Sequence, residues 1–183
     1  MKKYELLEDD TITINDGNIK LYRIKACRSF KSGCGKAVNK GDLGGYIHDE
    51  YNLSHDGDAW IYDEAKVFGD AVVFGYASVY GYAHVYGNAK VYGNTQVYDY
   101  AKVYGDARVY GFANVYGDAQ VYDNAEVFRK CSIYGHAKVH GNAWIYDYAH
   151  VYGDAQVYGD AQVYDNAAVY GHARVYGESE LYG

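Results

Sequence analysis

The chain is short of basic charge, of long apolar runs and of cysteine, and it contains no proline at all. Seventeen Lys and Arg against 24 Asp and Glu leave a formal net charge of −7. Phosphate backbones are held by clustered cations, so this balance excludes a general nucleic-acid binder. No apolar run approaches the ~20 residues that span a bilayer, and no basic-then-apolar leader opens the chain. A soluble, cytoplasmic protein is expected. Three cysteines are an odd number, and in that compartment they read as thiols. Cys27 and Cys34, close together in CRSFKSGC, are the one pair able to bridge or share a metal. Two ligands without a nearby His make a poor zinc set. No cofactor, metal site or catalytic residue is assigned from the sequence.

In place of those residues there are 25 Tyr and 22 Gly. From His55 onward the chain divides into sixes without insertion or deletion: HDGDAW, IYDEAK from Ile61, VFGDAV from Val67, and so on to VYGESE from Val175, with LYG left over. The first position is Val, Ile or Leu at every sixth residue from Ile61 to Leu181. The second is Tyr or Phe except at His140. The third is mostly Gly, with Asp at 63, 99, 123, 147 and 165. The fifth is Ala except at Thr95, Cys131 and Ser179.

In the run Ala-x-Val-Tyr, a strand puts Ala and Val on one face and x and Tyr on the other. Gly followed by Asp or Asn suits a corner, because these residues tolerate positive φ. Each six is therefore one short strand and one corner. At ~100° per residue a helix would place successive Val about 240° apart and scatter the apolar positions. Such units bury their inner face only by stacking as a coil, each turn pairing with the next.

This pattern, aliphatic at position one and small at position five, resembles the hexapeptide repeat of left-handed parallel β-helices. That resemblance implies three sixes per triangular coil and the left hand. About seven coils at ~4.8 Å each then make a prism roughly 34 Å long, filled with Val on its faces and Ala at its corners. The expected fold is all-β, with a capping segment over 1–54 and the repeat over 55–183. The cap carries two strand-like runs around Asp16-Gly17, a hairpin signal. An open coil end exposes unpaired backbone groups. The last repeats, with Val175, Tyr176, Leu181 and Tyr182, are therefore expected to meet a second copy end to end, or a partner.

The stretch KGDLGGYI, followed by NLS and the aromatic entry to the repeats, resembles the YdcK-like bacterial and phage hexapeptide proteins, which carry a transferase label. The likeness implies a bacterial or phage-infected cell. It also implies, as one alternative, an acyl-CoA-dependent acyltransferase working as a trimer. That chemistry uses a His base beside a pocket built between subunits. The available bases, His84, His140 and His150, fall on flat faces, and no loop interrupts the sixes. The favoured reading is a non-catalytic interaction protein that binds or occludes a protein partner; for a phage protein, the target would be a host or defence factor.

Eighteen residues per coil set the outer columns. Three aromatic ladders start at Tyr62, Phe68 and Phe74 and run to Tyr170, Tyr176 and Tyr182. Stacked rings hold successive coils together, and rigid aromatics also favour recognition. Lys66, His84, Lys102, Lys138 and Arg174 give one face a basic cast, offset by an adjoining acidic corner that includes Asp70, Asp106 and Asp160. Asp118, His136, Asp154 and His172 align on another corner; a straight column converges poorly on a metal. The repeat breaks most between residues 126 and 149. Arg129 and Lys130 replace Gly-Asp, His140 replaces Tyr, and Trp144 replaces a polar residue. With Phe112, Phe128, Tyr146 and Tyr148 these form the expected contact patch.

Overall fold

A computed structural model describes residues 2–15 and 18–183. Three parallel β-faces wrap one apolar interior. One sheet has ten strands, of which the first two from the amino-terminal segment pair antiparallel, and the other two have seven each; within the repeats, strands 18 residues apart are parallel neighbours. Lys66–Val67, His84–Val85 and Lys102–Val103 follow one another on the first face. Val72–Val73, Lys90–Val91 and Arg108–Val109 do so on the second. Trp60–Ile61, Ser78–Val79 and Gln96–Val97 do so on the third. The chain is an all-β parallel solenoid. No described helix is long and apolar enough to cross a membrane.

The regular strands are mostly two residues long, shorter than the four-residue run the pattern suggests. Pairing nevertheless continues around the corners. Lys66 N donates to Ala83 O at 2.9 Å, Phe68 N to Val85 O at 3.1 Å, and Glu64 N to Gly81 O at 3.1 Å. Each turn thus satisfies the backbone of the next without needing long strands. The interior is as the repeat demands: Val at position one and Ala at position five are fully buried through the middle coils. The three variants at position five close a local bond that Ala cannot, Ser179 Oγ donating to Tyr176 O at 2.7 Å. Thr95 Oγ1 donates to Tyr92 O at 2.8 Å, and Cys131 Sγ approaches Phe128 O at 3.2 Å.

Position three explains itself by geometry. Gly87 has φ +72, and a Cβ there would lie 2.9 Å from Gly105 N. Asp63, Asp99 and Asp123 also take positive φ, between 55 and 58. Their carboxylates accept from the Gly N–H one coil on, at 3.1–3.2 Å. Asp tolerates this region because its short polar side chain can bond locally.

The amino-terminal residues close one end. β1 (Tyr4–Ile14) pairs antiparallel with β2 (Ile19–Ala26), with an irregularity between Leu7 and Thr11. The expected hairpin residues Asp16 and Gly17 lie outside the described residues. After a short hairpin of β3 (Phe30–Lys31) with β4 (Ala37–Val38), β2 pairs antiparallel with β5 (Leu43–Ile47). β5 in turn pairs parallel with Lys66–Val67, so the first solenoid face begins at the GGYI of KGDLGGYI. Tyr4 is buried with its hydroxyl 2.7 Å from Leu53 O, and the fully buried Lys3 donates to Ala59 O at 2.9 Å. Asn52 Nδ2 bonds Ala71 O at 2.7 Å.

Candidate functional site

The second-position rings form the three ladders that the 18-residue column rule implies. Tyr80 and Tyr98 lie 4.8 Å apart with an interplanar angle of 2°, and Tyr86 and Tyr104 lie 4.9 Å apart at 2°. Several hydroxyls reach sideways to the strand of the following coil: Tyr80 to Gln96 at 2.9 Å, Tyr104 to Gln120 at 3.2 Å, and Tyr110 to Glu126 at 3.0 Å. Partial burial raises these phenols, Tyr104 to about 12. Ladder rings are at most half exposed over the central coils, so their first role is cohesion between turns.

The fourth position of the repeat points away from the prism, and here a different aromatic set stands out. On the corner after the second face, the column reads Tyr76, Asn94, Phe112, Lys130, Tyr148, Asn166. Tyr76, Phe112 and Tyr148 are 51, 56 and 52% exposed. Between Phe112 and Tyr148 lies an open groove of about 700 Å³, also lined by Tyr110, Gly111, Phe128, Arg129, Lys130 and Asp147. Its lining is mainly apolar. Lys130 Nζ lies 5.2 Å from the centre of the Tyr148 ring and donates to its hydroxyl at 3.3 Å. Arg129 is paired with Asp147 and sits 5.9 Å from the Tyr146 ring centre. Arg129 takes φ +63, the one non-Gly, non-Asp residue at position three in the repeats.

Five of the eight residues expected as a patch therefore gather at this groove: Phe112, Phe128, Arg129, Lys130 and Tyr148. Tyr146 stacks on Phe128 at 5.0 Å. Trp144 lies on the adjoining face between Glu126 and Gln162. It meets Phe128 edge-on at 6.4 Å and is 46% exposed. His140 stands apart on the ten-stranded face, stacked between Tyr122 at 4.7 Å and Tyr158 at 5.1 Å. There it replaces a ladder ring, and burial lowers its imidazole against the pull of Asp123. Tyr110, Gly111 and Asp147 were not part of the expected patch, Tyr110 being read only as a ladder ring and Asp147 only as a third-position residue. Neither was the pair Tyr82 and Tyr100 on another corner, stacked at 5.1 Å and both exposed. An aromatic directly before the repeat's Ala, as in GYAS, GFAN and DYAH, was the available signal.

Elsewhere the chemistry is sparse. His84 sits between Lys66 and Lys102 in register, where burial and those two cations depress it to about 4. His136 pairs with Asp118 at 3.6 Å and His172 with Asp154 at 3.5 Å, all well exposed. Among the described residues no group of three or more His, Cys, Asp or Glu could hold a metal ion. Cys27, Cys34 and Cys131 are free thiols. At the last coil Val175 and Leu181 rest partly buried against the core, while Tyr176 and Tyr182 are exposed.

A family model described as the YdcK beta solenoid repeat matches residues 161–177, a stretch of about one turn that ends in the last coil. No curated protein matches the chain.

Proposed function

We propose that this YdcK-like repeat β-solenoid is a non-catalytic interaction protein that takes a protein partner at the Phe112–Tyr148 corner. One observation carries the reading: a mainly apolar, open groove between two large exposed rings. Exposed aromatic anchors beside an Arg and a Lys have the composition that concentrates binding energy at interfaces. The repeat does not need Phe112, Lys130 or Tyr148 to fold, since Asn fills the same column at positions 94 and 166. The likeness to bacterial and phage proteins makes a host protein the candidate partner. Self-association through the strands bearing Tyr176 and Tyr182 belongs to the same proposal as a second contact.

The test compares the native chain with Phe112→Asn/Tyr148→Asn. Proteins retained from a bacterial extract by the first and lost by the second, with unchanged circular dichroism, are the expected result. A partner held equally by both would remove this corner from the reading.

A further inference from the structure

The occupant of the corner can be read from its spacing. Large rings stand on every second coil, at Tyr76, Phe112 and Tyr148, with Asn94 and Lys130 in the two gaps and Asn166 one coil beyond the last ring. Coils repeat at ~4.8 Å, so the ridges stand about 9.6 Å apart. An extended strand presents one face every ~6.7 Å, and an α-helix turns every ~5.4 Å; neither keeps step with the ridges. A polyproline II helix turns every three residues, about 9.3 Å. It keeps step over the two gaps with a drift well under 1 Å.

We infer that this corner binds a proline-rich segment of the partner in the polyproline II conformation, one turn per gap, with an acidic residue of that segment beside Lys130. This rests on the groove's being the partner site.

The hydrogen-bonding character agrees. Prolines have no N–H, so such a segment offers its backbone only as carbonyl acceptors. Five of the six column residues carry donors: the hydroxyls of Tyr76 and Tyr148, the amides of Asn94 and Asn166, and the Lys130 ammonium. Apolar walls between aromatic ridges are the surface on which proline rings dock. The charge agrees as well. Arg129 is neutralised by Asp147, whereas Lys130 has no carboxylate partner among the described residues and contacts only Tyr148. A cation between two rings, on a chain of net charge −7, selects a carboxylate set among apolar groups.

The probe is a twelve-residue proline peptide with one central Glu, titrated by calorimetry at low salt. The control is a Gly-Ser peptide of the same length with the same Glu. Binding of the proline peptide alone is expected. It should weaken about tenfold or more in Phe112→Asn, as loss of an anchoring ring does. Phe112→Asn is compatible with the fold because Asn already occupies this column. Lys130→Asn should remove the preference for the Glu-bearing peptide over plain polyproline. No binding of the proline peptide at millimolar concentration, equal binding by Phe112→Asn, or uptake of a β-1,4-linked oligosaccharide in its place would overturn the inference. Failure of the peptide to bind, with capture of a protein partner still lost in Phe112→Asn/Tyr148→Asn, leaves the groove a protein-binding site and removes only the polyproline assignment.

Discussion

At the third position of the repeat a larger substitution should be tolerated better than a smaller one. Gly135 takes φ +69, and a Cβ on it would lie 2.9 Å from Gly153 N and 3.2 Å from Gly153 O. Gly135→Ala must hold an L-residue in the left-handed region, at about 1–2 kcal/mol. It must also push the next coil outward, which for overpacked interiors costs about 1–3 kcal/mol. A total near 3 kcal/mol lowers the melting temperature of a chain this size by roughly 6–12 °C. Gly135→Asp meets the same geometry with a side chain that the fold already uses. Asp99 sits at φ 58 with its carboxylate accepting from Gly117 N at 3.2 Å. Asp loses less than Ala at positive φ, and its new hydrogen bond to Gly153 N–H contributes about 1 kcal/mol. The Asp variant should therefore melt within about 2–4 °C of the native chain. Thermal unfolding followed by far-ultraviolet circular dichroism decides the matter. A central coil is the right place, since loss there interrupts neighbour-to-neighbour stacking on both sides. If Ala melts at or above Asp, the left-handed backbone and the carboxylate bond to the next coil do not govern position three.

Further outcomes follow from the same structure. Burial raises the ladder phenols in the folded state, Tyr104 to about 12. The folded chain thus holds protons that the unfolded chain has released, and stability should fall steeply as pH rises above ~10; a flat stability profile from pH 9 to 12 would contradict the stacked ladders. Lys3 runs the other way. Burial depresses it to about 8, so the unfolded chain binds more protons between pH 8 and ~10.4, and stability rises through that window. Lys3→Met removes this rise, so its stability relative to the native chain should decline from pH 8 toward pH 10 in denaturant titrations. Burial pushes the Cys131 thiol up to about 12. Cys34 is disfavoured as a thiolate by burial, yet hydrogen bonds from Ser32 and its neighbours bring it net below the ordinary thiol value. Thiol reagents should label Cys34 well before Cys131 in the native state, and equal rates would show that the Cys131 coil opens readily. Light scattering behind size exclusion should give a monomer or a concentration-dependent dimer, the dimer lost in Tyr176→Asp/Tyr182→Asp; a stable trimer would restore the acyltransferase alternative.

Much of the architecture is written in single positions. Val at every sixth residue and Ala four places later force an inner face, and a period of six is incompatible with a helix. Eighteen-residue columns then follow, which is why the rings of Tyr80 and Tyr98 could be placed together from the repeat alone. The amino-terminal segment was less legible because its strands follow no period. That Leu43–Ile47 joins the first face depends on Gly44 and Gly45, where a Cβ would lie 2.5 Å from Ile24 and Ile61 side-chain atoms respectively. That is a fit of surfaces rather than a pattern in the chain. The patch was legible in part. Departures from the repeat drew attention to Arg129, Lys130, His140 and Trp144 alike, but a departure carries no direction.

The sequence by itself determined the repeating unit, its inner and outer faces, and the identity of every column, because a strict period leaves each residue one possible height and side. The same columns already set Phe112, Lys130 and Tyr148 on one corner and His140 in a ladder. Only the tertiary structure decided where outward side chains leave an open space: the groove between Phe112 and Tyr148 depends on how Tyr110, Phe128 and the Arg129–Asp147 pair pack beside it, which no period specifies.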